Sequence, residues 1–310
     1  MLKYIGKRIL TMIPVLLGVS FIIFLIMDLA PGNPAISILG ENATKEDIAA
    51  LEEELGLNEN VVIRYVKYIG DIVLHGDFGN SWMTKLPVQE ELFTRLPTTL
   101  NVAIGSIIIM LVVGVPIGVL SAVKQYTLID TASLFTAMFL TSMPSFFFGL
   151  LMMLVFALNL GWLPATGNDT WMNYILPCCT LAVNFLAQLI RMTRSNMLEV
   201  IRADYIRTAR SKGTTEKTIV YKHALRNALL PVITIVGLNF SAMLGGGPVI
   251  ESVFALPGLG TMLVNGVRMK DTPSVMAAVL FSAVMISVIN LLVDIIYMFV
   301  DPRLKSSFVK

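Results

Sequence analysis

The sequence predicts an all-α membrane protein that crosses a bilayer about six times. Of its 310 residues, 55% are hydrophobic and only 14% are charged, whereas soluble domains usually contain about 25% charged residues. Apolar stretches long enough to cross a hydrocarbon core of about 30 Å recur along the chain. We therefore expect transmembrane helices at residues 9–29, 98–122, 132–158, 174–190, 229–247 and 275–300.

The first apolar stretch is interpreted as an uncleaved helix. It follows Lys3, Lys7 and Arg8, as the hydrophobic region of a signal peptide would. However, residues 9–29 are long enough for a full span, and no small-residue cleavage site follows them. The sequence thus predicts an N-terminal transmembrane helix over residues 1–29.

Polar residues inside the later apolar segments are candidates for lining a transport pathway. The fourth segment contains Pro177, Asn184 and Gln188, and such groups must be covered by protein or face a pathway. Hydrogen bonding between helices is the alternative, and Asp294 has the further alternative of pairing with a basic residue. The candidate pathway residues are Asn184, Gln188, Asn239, Ser241, Asn290 and Asp294.

The charges of the loops predict an orientation. Residues 30–97 contain five Lys or Arg and eleven Asp or Glu, whereas residues 191–228 contain nine and three. By the positive-inside rule, 30–97 and 159–173 lie outside, and 191–228 and the tail 301–310 lie inside. Both termini are therefore expected in the cytoplasm.

The outer segment, residues 30–97, is too long for a bare linker and is predicted to be helical. Thr44 is placed to cap a helix with acids in its first turn, and Gly56 is placed to end it. A second helix is predicted over residues 61–74, with His75-Gly76 stopping it. On one face of this helix we expect Val62, Tyr65, Val66, Ile69 and Val73.

Catalytic and ATP-binding motifs are missing from the sequence. No GxxxxGK[ST] occurs, so the chain has no P-loop for ATP. The triplet Asp77-Phe78-Gly79 lacks the other kinase motifs and is interpreted as a turn. His75 and His223 fall on opposite sides of the membrane, so neither a metal site nor a catalytic triad is expected. Cys178 and Cys179 are adjacent in an apolar segment and are interpreted as free thiols.

The basic segment 191–228 has the pattern of two short helices separated by a glycine. Asp204 is placed to cap the first helix and Gly213 to terminate it. Thr214 is placed to cap the second, with Glu216 in its first turn. The charge alone would also suit contact with anionic lipid. The helix–glycine–helix pattern favours docking to a partner.

This stretch resembles the EAA loop of ABC-importer permeases, most closely in the dipeptide, oligopeptide and nickel subfamily. Thr208-Ala209, three residues, Gly213, nine residues and then His223 match the motif, and Arg207 stands where the general motif has Glu. Further similar stretches, in family order, are Lys7-Arg8, Leu29-Ala30-Pro31-Gly32-Asn33-Pro34, His75-Gly76-Asp77-Phe78-Gly79, Leu96-Pro97-Thr98-Thr99, Val249-Ile250-Glu251, Leu256-Pro257-Gly258-Leu259-Gly260 and Asp301-Pro302-Arg303.

The resemblance implies a type I ABC-importer permease fold in the bacterial inner membrane. The five-helix core would span 98–300, after the extracytoplasmic segment 30–97 and before the cytoplasmic tail 301–310. The implied partners are a second homologous permease, two ABC ATPase subunits that bind ATP and Mg, an extracytoplasmic solute-binding protein and membrane lipids, with no nucleic acid. The implied ATPase-coupling residues are Asp204, Tyr205, Arg207, Thr208, Ala209, Gly213 and His223.

The resemblance leaves the cargo open between short peptides and nickel, bare or chelated. Bare nickel prefers imidazole, thiolate or carboxylate ligands, and the predicted spans hold only Cys178, Cys179 and Asp294, with Asp28 at a helix end. Neutral amides and hydroxyls favour a peptide. Two other classes remain as alternatives: an intramembrane enzyme such as a protease, which would need a base inside the membrane, and a secondary carrier, which would be expected to show two related halves.

Overall fold

A computed structural model describes residues 2–40 and 42–300, and their regular structure is helical. Within these residues there is no β-strand, and a single isolated antiparallel bridge pairs Asn80 with Pro87. The predicted cytoplasmic tail, 301–310, lies outside the described residues. In chain order, the helices are α1 (Leu2–Leu29), α2 (Pro34–Leu39), α3 (Lys45–Glu54), α4 (Val61–His75), α5 (Val88–Val123), α6 (Leu128–Thr141), α7 (Ser145–Met152), α8 (Ile175–Ile201), α9 (Asp204–Ser211), α10 (Glu216–Thr218), α11 (Leu225–Val253), α12 (Leu259–Met269) and α13 (Thr272–Val300).

The chain divides into two compact units. The first, which we call the N-terminal unit, comprises Leu2–Thr99 and Pro257–Ser287. The second, the core unit, comprises Leu100–Leu256 and the last helix from Val288 onward. The predicted boundaries at residues 29, 97 and 300 concern membrane topology and stay a prediction.

The helices provide up to six membrane crossings in the described residues. Four single helices are long and apolar enough to span a bilayer: Ile5–Leu29, Val88–Val123, Trp171–Ile201 and Thr272–Ile296. Two bent helix pairs meet the same criterion, and the chain turns by 101° within the first and by 53° within the second. Counted as one span each, these pairs complete the six crossings that the sequence predicts. The first pair is Leu128–Thr141 with Ser145–Asn159. The second pair is Glu216–Leu229 with Pro231–Gly245, and its bend lies within α11.

The prediction of one continuous third helix over residues 132–158 is wrong. Helix α6 ends at Thr141, and α7 begins at Ser145 after Pro144, whose backbone is extended at φ −55° and ψ 135°. Proline disfavours the helical conformation in the residue before it and has no amide hydrogen to donate. The chain therefore leaves one helix and starts another at this point.

The predicted limits of the second, fourth and fifth segments are also wrong. Helix α5 begins at Val88 instead of residue 98. Helix α8 continues to Ile201 instead of ending at residue 190, and α11 begins at Leu225 and reaches Val253. Hydropathy marks where apolar sequence stops, but a charged residue such as Arg191 is a good helix former. Part of the predicted loop is therefore a helical extension of α8.

The two helices predicted within residues 30–97 are confirmed. Thr44 accepts a hydrogen bond from the amide of Asp47 at 3.2 Å and so caps α3. Gly56, at φ +65°, follows the end of that helix. Helix α4 ends at Gly76, which has φ +67°. Local cap chemistry therefore gives the correct helix limits where hydropathy does not.

Candidate coupling site and intramembrane polar residues

The basic segment after α8 folds into the predicted helix, glycine turn and second helix. Helix α9 is followed by Gly213, at φ +77°, a conformation that glycine adopts without steric cost. The predicted caps are wrong in detail, because Ala203 and Thr215 occupy the two N-cap positions. Asp204 is instead the first residue of α9, where its carboxylate still complements the helix dipole.

One apolar side chain anchors α9 to the rest of the core unit. Ile206 is fully buried in a cluster built from the ends of α5, α8 and α11 and from the π-helical turn Ile219–Ala224. Ile206 is not among the predicted site residues, although it is the one large aliphatic residue of the polar helix α9. The other buried members of this cluster, called the Ile206 cluster below, are Val119, Ala122, Met197, Ile219, Val220, Ala224 and Ala228.

The predicted coupling residues of α9 lie mostly on its exposed side. Asp204, Arg207 and Thr208 are exposed, and so is Tyr205, at 46%. Ala209 is half-buried and packs against the Ile206 cluster. One face of α9 is thus available to a partner, and Ala209 belongs to the opposite face.

An ion pair closes the glycine turn. The Nε and Nη2 groups of Arg210 donate to the two carboxylate oxygens of Glu216 at 2.6 and 3.2 Å. This hydrogen bonding raises the pKa of Arg210, so its positive charge is retained at any physiological pH. The pair joins the last turn of α9 to the start of the following helix across Gly213.

A second link ties α9 to the start of α11. The side-chain amide of Asn227 donates to the Tyr205 hydroxyl at 2.8 Å and to the His223 carbonyl at 3.2 Å. His223 itself is half-buried in the π-helical turn. The predicted coupling residues therefore belong to one connected substructure.

Two of the six candidate pathway residues lie on an exposed face. Asn184 and Gln188 are four residues apart on α8 and therefore occupy the same side of the helix. Both side chains are exposed while neighbouring α8 residues are buried. In this chain they have the placement expected of a surface that faces a pathway or another subunit.

Three of the remaining four candidates contact other helices of the core unit. Asn239 donates to the sulfur of Met110 at 3.8 Å, and the Ser241 hydroxyl donates to Oδ1 of Asn290 at 2.8 Å. Asp294 is half-buried on α13. For Asn239, Ser241 and Asn290, the structure therefore shows the inter-helix hydrogen bonding that was the alternative to a pathway role.

The structure also contains an ion pair that was not predicted from the sequence. Asp130 of α6 is buried and pairs with Arg194 of α8. The Ser121 hydroxyl and the Tyr126 amide also donate to the Asp130 carboxylate. The available signal was a single acid in an otherwise apolar helix, although its partner is 64 residues away along the chain.

Two family comparisons identify the class of this multi-span helical protein. The family described as binding-protein-dependent transport system inner membrane component matches residues 114–306, and the N-terminal family of such membrane components matches residues 1–103. The chain belongs to the family of binding-protein-dependent transport system inner membrane components. It is therefore a permease subunit of an ABC importer and not an enzyme, as predicted. ATP hydrolysis is the task of separate subunits in this class of transporter.

Relatives similar over their whole length carry names from peptide transport. The oligopeptide transport system permease protein AppB of Bacillus subtilis is 42% identical, over 98% of this chain and 100% of the relative. The dipeptide transport system permease protein DppB of Alkalihalophilus pseudofirmus is 40% identical, with the same coverage. The glutathione transport system permease protein GsiC of Salmonella paratyphi A is 42% identical, over 98% of this chain and 99% of the relative.

A solved structure confirms the fold class. A chain of the MetNI methionine ABC transporter in an inward-facing conformation superposes with a TM-score of 0.59 at 21% identity. The match covers 68% of this chain and 96% of that chain. The predicted type I importer permease fold is therefore confirmed.

Proposed function

We propose that this chain moves short peptides across the bacterial inner membrane, driven by ATP hydrolysis in partner subunits. The peptide assignment is supported by the names of its relatives, which specify oligopeptides, dipeptides and glutathione, itself a short peptide. Neutral side chains such as Asn184 and Gln188 suit a hydrated zwitterion that must pass without being tightly held. Uptake of nickel, bare or chelated, is the competing proposal.

The proposed assembly contains a second homologous permease, two ABC ATPase subunits that bind ATP and Mg, and an extracytoplasmic solute-binding protein. The proposed orientation follows from loop charge, with residues 30–97 outside and both termini inside. In this arrangement the segment 191–228, with nine basic residues, faces the ATPases. The surrounding membrane lipids are the remaining partners.

The coupling role is supported by one observation: α9 has an exposed face and a buried face. Its exposed side presents Tyr205, Arg207 and Thr208, while Ile206 is fully buried on the other side. A displacement of α9 by a closing ATPase dimer is therefore applied directly to the Ile206 cluster. Since that cluster includes the ends of α5, α8 and α11, three long helices receive the movement together.

The turn and the side-chain links give α9 the stiffness that this role requires. Gly213 makes the sharp reversal, and the Arg210–Glu216 pair closes it. Asn227 holds Tyr205 and the carbonyl of His223 on the other side. Asp204 begins the helix, and Ala209 lets it lie close to the cluster because its side chain is small.

Charge reversal on the exposed face tests ATPase docking. Arg207→Glu is expected to weaken co-purification of the ATPase subunits and to lower uptake, with normal insertion of the chain. The matched control is Lys45→Glu, the same charge change at an exposed residue of α3, which the proposed orientation places on the other side of the membrane. Docking through α9 would be refuted by full ATPase binding and uptake in Arg207→Glu.

A second variant separates docking from transmission. Ile206→Ala removes buried volume but leaves the exposed face of α9 unchanged. We expect normal ATPase co-purification with reduced uptake per ATP hydrolysed. Ser211→Ala, an exposed position on the same helix, is the control. Fully coupled transport in Ile206→Ala would contradict transmission through the cluster.

The cargo is tested by uptake in cells that lack other importers. Labelled dipeptides to pentapeptides and glutathione are compared with labelled nickel, with and without a chelator. Peptide uptake that is lost on deletion of this chain supports the proposal. Nickel uptake that depends on this chain, without peptide uptake, would replace peptide by metal as the cargo and leave the α9 coupling role intact.

A further inference from the structure

Helix α4 carries an apolar stripe that nothing in the described part of the chain covers. Val62, Val66 and Val73 are 51%, 62% and 75% exposed. With Ile69, they follow the spacing of one helix face. No residue of α4 is buried over its whole side chain. A soluble extracytoplasmic helix would not be expected to present such a stripe to water.

The depth of the surrounding residues can be read from two membrane spans of the N-terminal unit. Helix α1 loses its apolar character at Asp28, and the Lys270 ammonium donates to the Ala30 carbonyl at 2.6 Å. Lys270 lies just before Thr272, where the last span begins. Asp28, Ala30 and Thr272 therefore mark the same end of both spans.

The Tyr65 side chain extends from α4 to a part of α1 that lies deeper in the span than Asp28. Its hydroxyl donates to the Leu17 carbonyl at 2.9 Å and lies 2.8 Å from the Ser20 hydroxyl. Its ring lies edge-on to Phe21 and Phe24, with centroid separations of 5.1 and 5.7 Å. Phe24 and Phe21 are four and seven residues before Asp28, so the ring lies about 6 to 11 Å inside the end of the span at 1.5 Å per residue.

The polar side of α4 has the complementary placement. Arg64 pairs with Asp28 at 2.6 Å, at the level where the span ends. Lys67, Asp71 and His75 are exposed on a different side of the helix from the valine stripe. An interfacial helix places its apolar face about 5 to 10 Å into the boundary of headgroups and acyl chains. The position of the Tyr65 ring agrees with that depth.

We propose that α4 is an interfacial helix whose valine stripe contacts lipid acyl chains in the leaflet at the Ala30 end of α1. In the orientation proposed above, this is the outer leaflet. The segment that the sequence places outside the membrane is thereby partly embedded in it. The contacts of Tyr65 with α1 fix the helix at this depth, and lipid is the partner that covers Val62, Val66 and Val73.

Spin labels test the environment of each face. Val66→Cys, Val73→Cys and the matched polar-face control Lys67→Cys are made without the free thiols Cys178 and Cys179. Each is labelled in the complete transporter, reconstituted into liposomes. Collisions are measured with oxygen, which concentrates in the bilayer, and with a water-soluble nickel chelate. We expect a severalfold higher ratio of oxygen to chelate collisions at positions 66 and 73 than at 67.

Two outcomes would overturn the proposal. Chelate collisions as frequent at 66 and 73 as at 67 would show that the stripe faces water. Exclusion of both reagents from 66 and 73 would show that another protein covers it. If the cysteine-free background does not assemble, the wild-type transporter is labelled with a bilayer-partitioning carbene reagent and an aqueous one. The expected result is then bilayer-reagent labelling of the valine stripe and aqueous labelling of the polar side; the reverse pattern contradicts the proposal.

Discussion

Arg194 holds Asp130 through two parallel hydrogen bonds, from Nε to Oδ1 and from Nη2 to Oδ2, each 2.8 Å long. The side chains are 21% and 5% exposed, respectively. The bidentate geometry and the additional donors, Ser121 and the Tyr126 amide, compensate the removal of the carboxylate from water. The pair joins α6, which ends just before the bend at Pro144, to α8, which carries the exposed Asn184 face.

The first prediction concerns this ion pair. Asp130→Asn leaves the Arg194 charge without its partner, and we expect it to lower the free energy of unfolding by about 3 kcal/mol. Adding Arg194→Gln to this variant should recover part of the loss, because two neutral amides can still hydrogen-bond. The measurement is a double-mutant cycle by thermal unfolding in detergent.

The pair Asp204 and Arg207 is the control for this cycle. Its atoms are 3.9 Å apart, and its side chains are 98% and 78% exposed, so its coupling energy should be close to zero. Strictly additive effects of Asp130→Asn and Arg194→Gln would contradict the assigned interaction.

The second prediction concerns the close approach of α5 and α8. A Cβ atom added at Gly118 would lie 2.6 Å from Cβ of Thr193 and 2.9 Å from the backbone oxygen of Ile190. Because a backbone atom cannot rotate away, Gly118→Ala should separate the helices and cost about 1 to 3 kcal/mol. Thermal unfolding measures the loss. Gly18→Ala in α1 is the control, because no atom lies within 4 Å of its added Cβ. Equal effects at the two positions would refute the packing argument.

The third prediction compares two tyrosines on α4. The Tyr65 hydroxyl is hydrogen-bonded to Leu17 and Ser20, whereas the buried Tyr68 hydroxyl has no hydrogen-bond partner in the described part of the chain. Tyr65→Phe should therefore lower stability by about 1 kcal/mol, and Tyr68→Phe should leave it unchanged or raise it. Thermal unfolding at neutral pH measures both, and a larger loss for Tyr68→Phe would contradict the assignment.

The raised pKa of Tyr68 also leads to a predicted pH dependence of the stability of the folded chain. Burial raises its pKa above the ordinary value of 10.0, and the carboxylates of Asp271 and Asp77 raise it further. The unfolded chain then releases this proton at a lower pH than the folded chain does, so stability falls as pH rises above about 10. Tyr68→Phe should lack that part of the decline. Unfolding temperatures between about pH 9 and 11 test the difference, and identical slopes for both chains would contradict it.

The parts of the fold that the sequence predicts correctly depend on local chemistry. Thr44 and Gly76 limit helices through caps, and Gly213 makes the turn after α9. The EAA-like spacing around that glycine correctly indicates the family. Such features involve residues close in the chain, so a single sequence contains them.

The parts that the sequence does not predict depend on packing. Pro144 marks the break after Thr141, but the 101° bend there depends on where the next helix packs, and the sequence is apolar on both sides. The burial of Ile206 is decided by side chains from three other helices. The partner of Asp130 is equally non-local. The sequence shows that Asn239 is a polar residue in an apolar segment. Whether it lines a pathway or hydrogen-bonds to Met110 depends on the tertiary packing.

The last prediction separates pathway residues from helix contacts. Asn184 and Gln188 are exposed, so their substitution by alanine should change stability by less than about 0.5 kcal/mol. If they line the peptide pathway, the same substitutions should lower uptake or change the preferred peptide length. Asn290→Ala is the matched comparison, because Asn290 accepts a hydrogen bond from Ser241. Its loss should cost about 0.6 kcal/mol, the average for such bonds in membranes, and should affect uptake only through lower stability. Uptake and thermal unfolding are measured for all three variants. Unchanged uptake in both Asn184→Ala and Gln188→Ala would show that these two side chains do not line the peptide pathway.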